Sequence, residues 1–286
     1  MGNLLKAFFF KLRRDLTFRI TLFIGLGLAV FMTAVYLLID IGINNVLSMP
    51  EKQWIFCNGQ TLLVTTLNPC QNFGLAIPIN LITFTVLEFT SGTIRNKIIT
   101  GNSKSKIYFS LFLSGLVFTF ALIISYVGLC VGVASIIGKF NANGMIFTTL
   151  GTGNITPDFV WKLLVLGVLA YILITAATIF FATLFRNIGP CIPIVIILLM
   201  ACYLSATIVA AISLTGLEEN TIKFVCNAVR YINPLYSLTA YDISSGESTV
   251  ISISNESFII QAANNLIYTI AFLLGGWGIF IRRDVK

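Results

Sequence analysis

The side chains able to do chemistry are few in this chain of 286 residues, and their spacing excludes most reactions. There is no histidine, which removes histidine-ligated metal sites and imidazole general-base catalysis. No GxxxxGKS or GxxxxGKT run occurs, so there is no P-loop to hold nucleotide phosphates. The six cysteines contain no Cys-x-x-Cys pair and are too scattered for a zinc site. Cys130, Cys191 and Cys202 fall in apolar runs, where a thiol acts as a small hydrophobe, whereas Cys57, Cys70 and Cys226 fall outside them. Cys57 and Cys70 either close one loop as a disulfide or stay free thiols.

One stretch concentrates the remaining polar chemistry: residues 87–110, LEFTSGTIRNKIITGNSKSKIYFS. Gly92 permits a sharp change of direction. Beyond it Ile94, Ile98 and Ile99 recur at helical spacing, with Arg95 and Lys97 directed away from them. Gly101 ends the helix, and Asn102 or Ser103 caps the next one. The pattern predicts a stubby amphipathic helix over 92–100, lying along the membrane surface, with Ile94 and Ile98 as an apolar knob for a cytosolic partner. A merely solvated basic loop would account for the cations but not for three isoleucines among them.

The elements that position this stretch follow from composition. A mean hydropathy of +0.94, with 57% hydrophobic and 10% charged residues, puts the chain in the membrane class. Uncharged runs long enough to cross a hydrocarbon core about 30 Å thick lie near 18–39, 73–89, 107–137, 161–185, 191–214 and 258–281. The predicted fold is therefore one all-α transmembrane domain of six spans, with outer loops at 41–72 and 215–257. With both termini cytoplasmic, only Lys52, Lys139, Lys162, Lys223 and Arg230 of the 18 basic residues fall outside. The net charge of +7 thus reads as a topology signal of a cell-membrane protein rather than a nucleic-acid footprint. Residues 1–17 carry a stripe of Leu5, Phe8, Phe9, Leu12 and Leu16, fitting an interfacial helix or an ordinary basic flank.

Inside the spans, charge is confined to the ends at Arg19, Asp40, Glu88 and Lys162. Ion-coupled carriers keep ionisable groups near mid-membrane, so an energy source must come from elsewhere. Gly128 and Gly132 form a small-xxx-small pair that serves either packing within the subunit or a dimer seam. In the last outer segment Pro234 breaks any helix, and Tyr231, Tyr236 and Tyr241 suit either pieces dipping into the headgroup layer or a surface loop that only closes the chain.

The run Glu88, Ser91-Gly92-Thr93-Ile94, Gly101 and Ser103 through Tyr108, between a second and a third span, resembles the E-x-x-x-G-T-I-x-N…S-x-x-x-I-Y signature of bacterial ABC transporter type 2 permeases. It is similar in particular to the permeases of peptide and bacteriocin exporters. The motif covers about twenty residues, and the layout of interfacial helix, six spans and long last outer segment is also similar. The resemblance implies a membrane subunit with no catalytic, cofactor or metal site, forming the path for an amphipathic or hydrophobic cargo such as a peptide. Its partners would be cytosolic ATPase subunits, which bind ATP and magnesium, and a second copy or a related permease. Thr93 to Ile99, with Arg95, Lys97 and Ile98, would be the coupling helix, and Glu88 the acidic residue at the base of the second span. The competing expectation is a membrane-embedded accessory or immunity protein that transports nothing.

Overall fold

The computed structural model of the chain describes residues 7, 8, 10, 14–46, 54–70, 72–140, 145–148, 151–155, 157–212, 219–238, 242–244 and 250–283. Among them, six helices are long and apolar enough to cross a membrane. A hydrocarbon medium leaves backbone groups no partner but each other, so apolar runs of this length close into helices. The spans are α1 (Leu16–Val46), α3 (Ala76–Thr90, led in by a 3-10 turn at Asn72–Leu75), α5 (Lys104–Gly138), α6 (Pro157–Phe185), α7 (Ile188–Ile212) and α9 (Asn255–Arg282). Shorter helices α2 (Gly59–Leu67), α4 (Thr93–Ile99) and α8 (Glu219–Ile232) fill the connections. Pro78 falls in the first turn of α3, where no intrahelical bond is lost. Most of the predicted interfacial helix at 1–17 lies outside the described residues.

The two ends of the bundle differ. At the basal end the start of α5 meets the end of α9, where Lys104 Nζ donates to Ile281 O at 2.9 Å and Arg283 O at 3.1 Å. The cation satisfies carbonyls that α9 leaves open and complements its dipole. At the distal end a four-stranded sheet of order β1-β2-β4-β3 ties two connections together. Here β1 (Met145–Thr148) and β2 (Gly151–Ile155) form an antiparallel hairpin, β2 runs parallel to β4 (Val250–Ser252), and β3 (Asp242–Ser244) closes the edge. The spanning body is helical throughout, as composition requires, and the sheet is a distal addition that the sequence pattern did not suggest.

The first connection departs most from expectation. Within the stretch expected as an outer loop at 41–72, α1 continues to Val46 and α2 is a helix buried along almost its whole length. Asn58 caps α2, its side chain accepting from Thr61 N at 2.8 Å. Asp40 of α1, fully buried, accepts from the backbone N–H of Phe56 at 3.0 Å and of Cys57 at 2.6 Å. On the far side of α2, Asn68 donates to Leu238 O at 2.8 Å and accepts from Cys70 N at 2.9 Å, fixing the exit.

Of the two alternatives left open for Cys57 and Cys70, disulfide or free thiols, this arrangement has the second. Both are free, buried thiols, one before and one after the nine-residue helix. Nine residues of helix rise about 13 Å, well beyond the roughly 7 Å across which a disulfide can form.

Candidate functional site

The candidate site is the basal knob around α4, and its turns are set by two glycines. Gly92, at φ +69°, occupies the N-cap position and reverses the chain after α3. Gly101, at φ +85°, ends α4. A side chain is strained in that left-handed region. Gly101 N donates to Ile98 O at 2.9 Å and Asn102 N to Lys97 O at 3.3 Å, the paired bonds of a Schellman ending. Ser103 takes the N-cap position of α5 without a side-chain cap bond, while Asn102 turns back to Lys97 O at 3.1 Å.

The orientation of α4 is the reverse of the one predicted. Ile94 is fully buried in the core of the bundle, and Ile98 is half-buried against it. Ile99 points outward at 71% exposure, beside exposed Arg95 and Asn96. Periodicity had correctly grouped Ile94 with Ile98, but that face is the inner one. The bundle beneath supplies more apolar surface than the face opposite it.

Lys97 is not a solvated cation either. Its Nζ lies 2.8 Å from Oε2 of Glu88, whose side chain has no exposed surface, and 3.4 Å from the ring centroid of buried Phe8. Glu88 on α3, Lys97 on α4 and Phe8 from the N-terminal segment thus come together at one point. Thr93 sits at the first turn, its Oγ1 2.7 Å from Ser91 Oγ. Glu88, Gly92, Thr93, Ile94, Arg95, Lys97, Ile98 and Ile99 therefore form one compact unit, with Arg95, Asn96 and Ile99 as its outer face. Asn96 was not singled out from the sequence, and Phe8 was placed in the N-terminal stripe rather than at this site. The presence of Phe8 in the apolar stripe of residues 1–17 was the available signal.

Chemically the knob offers a rigid protrusion with one apolar and one cationic contact. Among the described residues no group of three or more His, Cys, Asp or Glu side chains gathers for a metal ion. Higher in the bundle an apolar groove of about 190 Å³ opens between α6, α7 and α9, walled by Ala177, Leu199, Phe272 and neighbours and roofed by Ile232 and Pro234. Above it, side chains of α9 receive the end of α8. Gln261 donates to Arg230 O at 2.7 Å, Asn264 to Tyr231 O at 2.8 Å, Asn265 to Pro234 O at 2.9 Å and Tyr268 to Ile232 O at 3.1 Å. These satisfy carbonyls that a helix terminus leaves open.

These features define a multi-pass membrane protein whose spans are all helical, with a short surface helix between the second and third of them. Comparison of the chain with protein-family models, with curated proteins and with solved structures found no match in any of the three.

Proposed function

We propose that the chain is the membrane subunit of an ATP-driven exporter, moving an amphipathic or hydrophobic cargo such as a peptide. A separate ATPase supplies the energy, and the basal end faces the cytoplasm. The observation that carries this reading is α4: a seven-residue helix closed by glycine at both ends and held to the second span by Lys97 and Glu88. A force applied to its exposed face reaches α3 through an ion pair and a packed isoleucine rather than through a slack loop. The resemblance of residues 88–108 to type 2 permeases supports the same role. The apolar groove between α6, α7 and α9 favours a cargo with hydrocarbon character. Gly128 and Gly132 have no atom within 4 Å of where a Cβ would stand, so their face of α5 is open to a second permease subunit.

The test is whether a gene for a P-loop ATPase lies beside the gene of this chain, then co-purification of the tagged chain with that ATPase and transport in vesicles. Burying Ile99 in a groove would contribute about 1.5–3 kcal/mol, so Ile99→Asp is expected to weaken ATPase retention at least tenfold while the permease still inserts. Arg95→Glu should weaken it less. Undiminished ATPase retention by both variants would remove α4 as the coupling element. An absence of any ATP-dependent transport would favour an accessory or immunity protein.

A further inference from the structure

The apolar groove between α6, α7 and α9 is a slot whose shape and depth select an occupant. Its floor of Ile174, Ala177, Val195 and Leu199 is buried, while Leu198 and Ile232 on its rim are 37% and 67% exposed. The slot therefore opens sideways, onto the medium around the spans. Its lining runs from Leu173 to Phe181 on α6 and from Val195 to Cys202 on α7, a rise of about 10–12 Å on each. A volume of about 190 Å³ drawn out over that length leaves a bore of about 17 Å², the width of a single extended hydrocarbon chain. The hydroxyl in the lining, Tyr268 Oη, is already engaged with Ile232 O, so the walls offer hydrocarbon contact.

The distal end of the slot is closed. There the end of α8 reaches both side walls: Asn233 donates to Cys202 O of α7 at 2.7 Å, and Tyr268 of α9 donates to Ile232 O at 3.1 Å. Trp277 of α9, whose indole N–H donates to Ser105 Oγ at 3.2 Å, sits at the basal end, where tryptophan marks the boundary of the hydrocarbon. Tyr268 lies nine residues before it, about 13–14 Å along the axis, and half of a hydrocarbon core is about 15 Å. The roof is therefore near the mid-plane, and the slot occupies the basal half of the membrane.

At that depth the surrounding medium is acyl chain. A gap within it forfeits dispersion contacts along every wall, so hydrocarbon fills a slot that opens onto it. We propose that the slot holds one acyl chain of a phospholipid of the basal leaflet, its methyl end beneath the Tyr268–Ile232 bond. A chain of the distal leaflet meets the roof before it reaches the slot. The inference needs only the membrane setting and stands apart from the transport reading. A cargo with hydrocarbon character would have to displace this chain.

The experiment places the full chain, one copy per nanodisc, in phosphatidylcholine containing a minor fraction of the same lipid with a photoreactive diazirine near either end of one acyl chain. Adducts are mapped by peptide mass spectrometry. The buried floor at Ala177 and Leu199 should be labelled, which lipid that merely coats the spans does not reach. A diazirine near the methyl end should favour Leu173 and Cys202, and one near the carboxyl end Phe181 and Val195, at the opposite end of the slot. Ala177→Phe and Leu199→Trp each add a ring to a space little larger than the roughly 150 Å³ that takes one benzene, so each should lower labelling of the remaining floor at least about fivefold. Labelling of exposed Ile197 should stay unchanged in both. The gradient is read on the wild type and needs neither variant to fold. Adducts confined to exposed Ile197 and Ile270 would overturn the proposal, leaving only coating lipid. A reversed gradient would overturn it in favour of a chain from the distal leaflet, and floor labelling undiminished in both variants would overturn it too. A floor labelled with one copy per disc but unlabelled with two would give the groove to a second copy and overturn it equally.

Discussion

Asp40 should act as the anchor of the lead-in to the buried helix α2, and removing it should free residues 54–58 from the bundle. Its carboxylate receives the Phe56 and Cys57 N–H groups at 3.0 and 2.6 Å in a fully buried setting. A buried donor left without its acceptor costs roughly 1–3 kcal/mol, so Asp40→Ala should destabilise the fold by about 2–6 kcal/mol. Asp40→Asn keeps one oxygen and should cost about half as much. An opposing effect exists: a buried carboxylate is expensive to desolvate, and its removal could return that cost. The two backbone bonds are expected to win because they are short and charge-assisted. The assay is thermal unfolding in detergent, paired with maleimide labelling of Cys57 in a background where the other five cysteines are replaced. Wild-type Cys57 is fully buried and should be protected, whereas the Asp40→Ala protein should label at folded-state temperatures. An Asp40→Asn protein as stable as the wild type or more so, with Cys57 still protected, would refute the anchoring role.

Denaturation without reductant should expose six alkylatable thiols per chain by mass, since Cys57 and Cys70 are not bonded; four would contradict the fold of the first connection. Burial, and then Asp40, raise the Cys57 thiol to about 11, so its native labelling rate should climb with pH toward that value, a thiolate being the reactive form. Lys97→Met should destabilise more than the Glu88→Gln/Lys97→Met pair, because the single change strands a buried carboxylate; a strictly additive double-mutant cycle would show that the ion pair does not fasten α4. A Cβ on Gly276 would stand 2.2 Å from Tyr108 Oη, so Gly276→Ala should cost about 1–3 kcal/mol, whereas Gly132→Ala, with nothing within 4 Å, should leave monomer stability within about 0.5 kcal/mol. Comparable melting temperatures for the two variants would contradict this packing.

The spans were legible because their signal is local. The run predicted at 73–89 is the helix and lead-in turn at Phe73–Thr90, and 258–281 is the heart of Asn255–Arg282. The buried α2 was not legible: GQTLLVTTL is too short for a crossing and rich in hydroxyls. Its burial depends on Asp40, in a different segment of sequence. A carboxylate within a long apolar run was the available clue, and it had been read only as the end of a span. At the candidate site, spacing placed Ile94 and Ile98 on one face. Spacing alone cannot say which face turns inward, because that depends on the apolar surface of α3 and α5 beneath. The pairing of Lys97 with Glu88 was likewise hidden, being made by a chain reversal at Gly92 that brings residues nine apart together.

The polar stripe of α9 has a consequence for how the protein is made. Gln261, Asn264, Asn265 and Tyr268 lie on one face of a helix that must enter hydrocarbon, where amides without partners cost several kcal/mol each. Their partners are carbonyls of residues 230–234, which leave the ribosome earlier. Those carbonyls in turn have no helical continuation past Pro234 and cannot sink below the surface until α9 arrives. Neither segment is a competent membrane element by itself. α9 and the end of α8 therefore enter as a pair, and a nascent chain stopped between residues 234 and 255 is expected to hold α8 at the membrane surface.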